Sequence, residues 1–138
     1  METSRRRPAT LAAVSRILVV DDEPDVAEFV ELVLQAGGHK VETVHSGRAA
    51  LERLGREAYD LIVCDLHMPD MDGRGIYEAV RHGPAPCPAV LFVSGYSESD
   101  EYESFLVENR LPVLAKPFTM DSLREAAQRM LGPGRPVE

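Results

Sequence analysis

The chain has 138 residues, 44% of them hydrophobic, and a formal net charge of −8. That length suits a single domain, and that apolar share is enough to bury a core. The acidic balance argues against nucleic acid as the main partner, and no stretch is long and apolar enough to span a membrane.

The chain opens on a basic arm, Ser4-Arg5-Arg6-Arg7-Pro8. A twin-arginine export signal would need an unbroken apolar run behind it, and Ser15 and Arg16 interrupt that run. Residues 1–14 are therefore read as a disordered tail rather than a signal, and a cytoplasmic location is expected. A single domain is expected over residues 15–131, with 132–138 as a second tail. With so little chain after Leu131, output is expected through protein contacts, or else the chain is a piece of a longer one. The two cysteines, Cys64 and Cys87, have neither metal-ligand nor redox spacing.

Ile17-Leu18-Val19-Val20 is a continuous apolar run, as a strand buried on both faces would be. It ends in the acids Asp21, Asp22 and Glu23. Pro24 suits the first turn of a helix, Val26, Phe29, Val30, Val33 and Leu34 recur at helical spacing, and Gly37-Gly38 stops it. Val41-Glu42-Thr43-Val44 is less apolar and predicts an edge strand. Ser46 is placed to cap a short helix carrying Ala49, Ala50, Leu51 and Leu54. A second buried strand, Leu61-Ile62-Val63-Cys64, runs into Asp65, with Cys64 read as a small buried hydrophobe. The loop that follows holds Asp70 and Asp72 as turn residues, with Gly73 supplying an unusual φ. A short helix is expected near Ile76–Val80, ended by Pro84, Pro86 and Pro88.

Ala89-Val90-Leu91-Phe92-Val93 predicts the fourth strand, ending at Ser94-Gly95. Ser97 is placed to cap an acidic helix, with Asp100 completing a capping box. Pro112-Val113-Leu114-Ala115 predicts a short edge strand closed by Lys116-Pro117-Phe118. Thr119 or Asp121 caps the last helix, which carries Leu123, Ala126, Ala127, Met130 and Leu131. Five β-α units in succession imply parallel pairing with right-handed crossovers. The expected fold is α/β, a flavodoxin-like (βα)5 doubly wound sheet of strand order 2-1-3-4-5.

In such a sheet Asp21, Asp22, Asp65, Ser94 and Lys116 all stand at the carboxyl ends of strands, on the edge where ligands bind. Clustered carboxylates repel, and so either raise a pKa or bind a cation. Oxygen ligands on a loop suit Mg²⁺, with Mn²⁺ as a substitute. A carboxylate that accepts a phosphoryl group needs its developing charge neutralised. A cation, the Lys116 ammonium and the Ser94 hydroxyl are suited to that, and Gly95 leaves room for a phosphoryl group to approach the backbone. Taken singly, Asp21 and Asp22 could be solvated loop acids, and Asp65 could be a turn-capping carboxylate. His67, two residues beyond Asp65, either influences access of water to the site or is simply solvated. Tyr96 reads as a surface loop aromatic.

Val19-Val20-Asp21-Asp22-Glu23, Asp65-Leu66-His67-Met68-Pro69-Asp70-Met71-Asp72-Gly73, Val93-Ser94-Gly95-Tyr96 and Lys116-Pro117-Phe118 resemble the signature blocks of CheY-like receiver domains of two-component response regulators. The resemblance covers residues 15–131. It implies a phosphoacceptor module of a phosphorelay, taking its phosphoryl group from a histidine kinase or histidine phosphotransfer protein and acting on a downstream protein. It implies a module that is not a turnover enzyme in the ordinary sense, though one that would catalyse its own phosphorylation and dephosphorylation. The resemblance implies Asp65 as the phosphorylated residue, and Asp22, Asp65 and the His67 carbonyl as direct Mg²⁺ ligands, with Asp21 acting through water. It further implies that Ser94 and Lys116 hold the phosphoryl group and that the Lys116–Pro117 peptide is cis.

Receivers often carry a Tyr or Phe three residues before the lysine as a switch. Here that position is Val113, which puts the usual aromatic route of output in question. The Ser94-Gly95-Tyr96 and Leu114-Ala115-Lys116-Pro117-Phe118 segments are more like receivers of hybrid sensor kinases. A homodimer is left open. The alternatives are an aspartyl-phosphate hydrolase of the haloacid-dehalogenase type, which would place its nucleophile after the first strand, and a receiver-like interaction module that is never phosphorylated.

Overall fold

The computed structural model describes residues 14–84, 86–95 and 102–132. The expected basic arm, the Ser97 and Asp100 caps, Tyr96 and nearly all of the C-terminal tail lie outside them.

In chain order the elements are β1 (Arg16–Val20), α1 (Pro24–Ala36), β2 (Lys40–Val44), α2 (Gly47–Leu54), β3 (Leu61–Asp65), α3 (Gly73–Arg81), β4 (Ala89–Ser94), α4 (Glu103–Glu108), β5 (Val113–Ala115) and α5 (Met120–Leu131). The five strands pair in parallel, in the order β2-β1-β3-β4-β5. This is the flavodoxin-like topology expected from the alternating pattern.

The pleat sorts each central strand between two apolar layers. Ile17 and Val19 of β1, Leu61 and Val63 of β3, and Leu91 and Val93 of β4 pack with α1 and α5. Leu18 and Val20, Ile62 and Cys64, and Val90 and Phe92 face the opposite way, with Ala50 of α2, Ile76 and Val80 of α3, and Leu106 of α4. Covered on both sides, β3 is buried along its whole length, whereas β2 and β5 are only partly buried, as edge strands are.

Local chemistry sets the element ends. Pro24 stands in the first turn of α1, where its missing N–H leaves no bond unmade. At the other end Gly38 has φ 94, and the amides of Gly38 and His39 return to the Gln35 and Leu34 carbonyls in a Schellman closure. Ser46 accepts from the Ala49 amide as the N-cap of α2. Thr119, rather than Asp121, caps α5, in a reciprocal box with Ser122.

Two expectations for the loop after β3 are corrected. Gly73 does not take a positive φ; the two described glycines that do are Gly38 and Gly132. A Cβ at Gly73 would stand 2.5 Å from Cε1 of the fully buried Phe92, so glycine is there because the start of α3 rests directly on β4. Nor are Asp70 and Asp72 merely turn residues. Asp72 is the N-cap of α3, accepting from the Arg74 and Gly75 amides. Asp70 reaches α2, accepting from the Gly47 amide at 3.0 Å and the Arg48 amide at 2.9 Å. Its carboxyl is held below the usual range by those amides. The loop is thereby clamped to the start of α2.

Candidate functional site

β1 and β3 are neighbours in register, with Val20 opposite Cys64, so Asp21 and Asp65 leave the sheet side by side. Asp21, Asp22 and Asp65 each present a carboxylate oxygen, and these oxygens all lie within 4.8 Å of one another. Asp21 and Asp65 are each only 3% exposed.

Lys116, at the end of β5, reaches into this group. Its Nζ stands 3.4 Å from Asp65 Oδ2, 3.6 Å from Asp21 Oδ2 and 2.8 Å from Glu23 Oε1. The Lys116–Pro117 peptide is cis. Backbone amides complete the immediate partners: His67 N–H donates to Asp65 Oδ1 at 3.2 Å and Glu23 N–H to Asp21 Oδ1 at 2.9 Å. Ser94 is buried at the end of β4, and its hydroxyl donates to the Gly95 carbonyl at 2.9 Å. Val113 lies on β5, partly exposed, with no ring to turn.

The charge state of this cluster follows from burial. Desolvation, and then the adjacent Asp21 charge, push the Asp65 carboxyl up to about 7, against the pull of Lys116 and the His67 amide. Burial also raises Asp21, opposed by the Glu23 amide and by Lys116. Burial works against the charge on Lys116. The hydrogen bond to Glu23 and the Asp65 and Asp21 charges outweigh it and hold the ammonium above its ordinary range. One lysine thus faces four acids, of which Asp21 and Asp65 are buried and Glu23 is exposed. A hard divalent cation that keeps part of its water shell fits such a donor set. Cys64, by contrast, takes no part in this chemistry: it is fully buried and its thiol is pushed well up by desolvation.

Asp21, Asp22, Asp65 and Lys116 are thus brought together, with Ser94 at the neighbouring strand end. Three participants were not singled out from sequence. Glu23 is the nearest partner of Lys116, and its place beside Asp21-Asp22 was the available signal. His45 Nδ1 meets the Asp21 carbonyl oxygen at 3.1 Å. The Tyr102 hydroxyl meets His67 Nδ1 at 3.4 Å. Nothing local in the sequence marks either contact.

The chain resembles known proteins in both sequence and fold. The family model of the response regulator receiver domain matches residues 17–128. The transcriptional regulatory protein ZraR of Escherichia coli (strain K12) is 31% identical over 115 residues, covering 83% of this chain and 26% of ZraR. The sensor histidine kinase GacS of Pseudomonas protegens is 32% identical over 123 residues, covering 85% of this chain and 13% of GacS. The chain therefore spans about a quarter of the length of the first of these relatives and about an eighth of the second. Among solved structures, the response regulator TrrA of Thermotoga maritima, in complex with Mg(2+)-BeF, superposes with a TM-score of 0.72 at 30% identity, covering 83% of this chain and 97% of that one. The chemotaxis response regulator CheY4 of Vibrio cholerae gives 0.76 at 28% identity, covering 85% and 98%. The chain belongs to the response regulator receiver domain family and is a receiver domain of two-component signal transduction.

Proposed function

We propose that Asp65 is the phosphoacceptor of this receiver and that residues 15–131 form the working domain. The observation that carries the reading is the buried Asp65 carboxylate at the end of β3, with two further carboxylates within 4.8 Å and the Lys116 ammonium at 3.4 Å. In the reaction, a carboxylate oxygen of Asp65 attacks phosphorus, the P–N bond of a phosphohistidine breaks, and the imidazole leaves. The donor is a histidine kinase or a histidine phosphotransfer protein, and the recipient of the signal is a downstream protein. The setting is the cytoplasm.

Asp22 and Asp65, with the His67 carbonyl, would hold Mg²⁺, and Asp21 would act through a bound water; Mn²⁺ suits the same oxygens. When bound, the ion neutralises charge on the transferring phosphoryl oxygens. Lys116 adds a second positive charge, and Ser94 turns its hydroxyl from the Gly95 carbonyl towards a phosphoryl oxygen. Gly95 and Pro117 shape the loops around the pocket. Val113 offers no aromatic to follow Ser94, so the conformational shift is transmitted by another route.

Intact mass after incubation with Mg²⁺ and acetyl phosphate tests this. Wild type gains one phosphoryl group and Asp65→Asn gains none. Absence of an adduct in wild type, with beryllofluoride also failing to bind, would overturn the reading. The haloacid-dehalogenase alternative would place the nucleophile at Asp21, so that Asp21→Asn abolished the adduct and Asp65→Asn kept it.

A further inference from the structure

β1 and β3 pair in register as far as Val20 opposite Cys64. Two of the oxygens read above as cation ligands, on Asp22 and the His67 carbonyl, belong to loops beyond that pair, so the sheet alone does not fix the gap between them. Carboxylate oxygens of Asp21, Asp22 and Asp65 are gathered within 4.8 Å of one another. Their mutual repulsion pushes the two loops apart. A hold outside the sheet is needed to keep the gap.

The turn between β2 and α2 touches both loops. On one side Asp21 N–H donates to the Val44 carbonyl at 3.2 Å, and His45 Nδ1 meets the Asp21 carbonyl oxygen at 3.1 Å. A carbonyl only accepts, so the ring nitrogen is the donor. Consecutive residues of the turn thus hold both backbone polar groups of Asp21.

On the other side the turn holds the loop that follows Asp65. The first helical bond of α2 runs from the Ala50 amide to the Ser46 carbonyl, so the amides of Gly47, Arg48 and Ala49 need partners outside the helix. Ser46 Oγ accepts from Ala49 at 3.1 Å. Asp70 accepts from Gly47 at 3.0 Å and from Arg48 at 2.9 Å. A carboxylate across two amides at a helix start is a charge-assisted pair that the helix dipole favours. Met71 adds a packed contact beside it. A Cβ at Gly47 would run into Met71 Cγ and Sδ, and one at Gly75 of α3 would stand 3.0 Å from Met71 Cε. The base of this loop is closed by Leu66, whose amide donates to the Val93 carbonyl at 2.9 Å and whose carbonyl accepts from Gly73 at 2.7 Å.

We propose that the β2–α2 turn is a crossbar between the two acidic loops, with His45 and Asp70 as the positioning residues at its ends, and that it sets the width of the cation site. The role at the cation site rests on the reading of Asp22, Asp65 and the His67 carbonyl as Mg²⁺ ligands; the tie itself does not. Cutting either end lets the carboxylates spread, and a cation must then regather them at the expense of its affinity.

Two measurements test this. The first is amide exchange at Gly47 and Arg48 by NMR, in cation-free protein and 1 M KCl. Asp70→Ala speeds exchange about tenfold, as loss of a charge-assisted bond would. Amides that exchange freely in wild type, or equally in both proteins, overturn the tie. The second is Mg²⁺ affinity, from NMR titration of the Asp22 amide. Asp70→Ala raises the dissociation constant about fivefold, near the low end of what outer partners of metal ligands contribute. Should Asp70→Ala not fold, Asp70→Asn serves, since its single carbonyl oxygen replaces two. The Debye length falls from about 10 Å at 0.1 M salt to about 3 Å at 1 M. A loss that persists at the higher salt supports positioning, whereas one that vanishes there marks Asp70 as a distant charge only and overturns it. His45→Ala weakens Mg²⁺ in the same direction, and the double variant is no weaker than the weaker single one, because the ends act in series. Additive losses, or none, overturn the crossbar. If wild type binds no Mg²⁺, the cation reading fails and the positioning role with it, while exchange still decides the tie.

Discussion

Lys116 binds Glu23 more closely than it binds Asp65: its ammonium is 2.8 Å from the Glu23 carboxylate and 3.4 Å from that of Asp65. The lysine is shared between an exposed acid at the rim and the buried acid at the centre. Glu23→Gln should release it toward the pocket. An exposed ion pair is worth at most about 1 kcal/mol, so beryllofluoride affinity in the presence of Mg²⁺ should rise by up to about fivefold. Weaker binding would mean that Glu23 positions the lysine rather than competing for it.

Asp65 makes the cation-free protein less stable as pH rises. Its folded value of about 7 lies above its ordinary 3.8, so between those values the native state holds a proton that the unfolded chain has released. Stability therefore falls as pH rises through that window, and the loss is complete above about pH 8. Asp21, shifted the same way, adds to it. At about 1.4 kcal/mol per unit the Asp65 contribution is at most roughly 4 kcal/mol. Urea unfolding in chelator should show Asp65→Asn gaining on wild type between about pH 5 and pH 8. Added Mg²⁺ should flatten the wild-type profile and leave that of Asp65→Asn much less changed. A wild type as stable at the upper pH as at the lower would contradict the burial argument.

Gly73→Ala should destabilise the fold although glycine sits in a helix, where alanine is ordinarily the better residue. The added methyl would meet Phe92 Cε1 at 2.5 Å and Leu66 Cδ2 at 3.1 Å, and both side chains are fully buried. Overpacking of this kind costs about 1 to 3 kcal/mol, which exceeds the gain in helix propensity of about 1 kcal/mol. Denaturant midpoints of the two proteins decide it.

Arg110, in the turn between α4 and β5, has φ 54. An L residue with a Cβ is strained there by about 1 kcal/mol or more. Arg110→Gly should raise the thermal midpoint by a few degrees, corresponding to about 0.5 to 1 kcal/mol for a domain of this size. A lower midpoint would show that the arginine side chain contributes more than its backbone strain takes away.

Most of the fold was legible in the sequence because it rests on short-range patterns. Four-residue apolar runs mark strands covered on both faces, the wetter Val41-Glu42-Thr43-Val44 marks an edge, and Pro24, Ser46 and Thr119 mark helix starts through bonds to residues at most a few positions away. The pocket was legible for a related reason. Strand ends in a parallel sheet share one edge, so Asp21, Asp22, Asp65, Ser94 and Lys116 needed only the strand order to be placed together. What only the tertiary structure decided were pairings between loops that no local period encodes. Gly73 is read as a turn glycine until Phe92, nineteen residues on, is seen against it. Asp70 acts on amides of Gly47 and Arg48, and Tyr102 finds His67 and Asp72 across the top of the sheet. A residue's own period tells which face it occupies, but a partner on another loop is set by how the elements dock, and that information is spread over the whole chain.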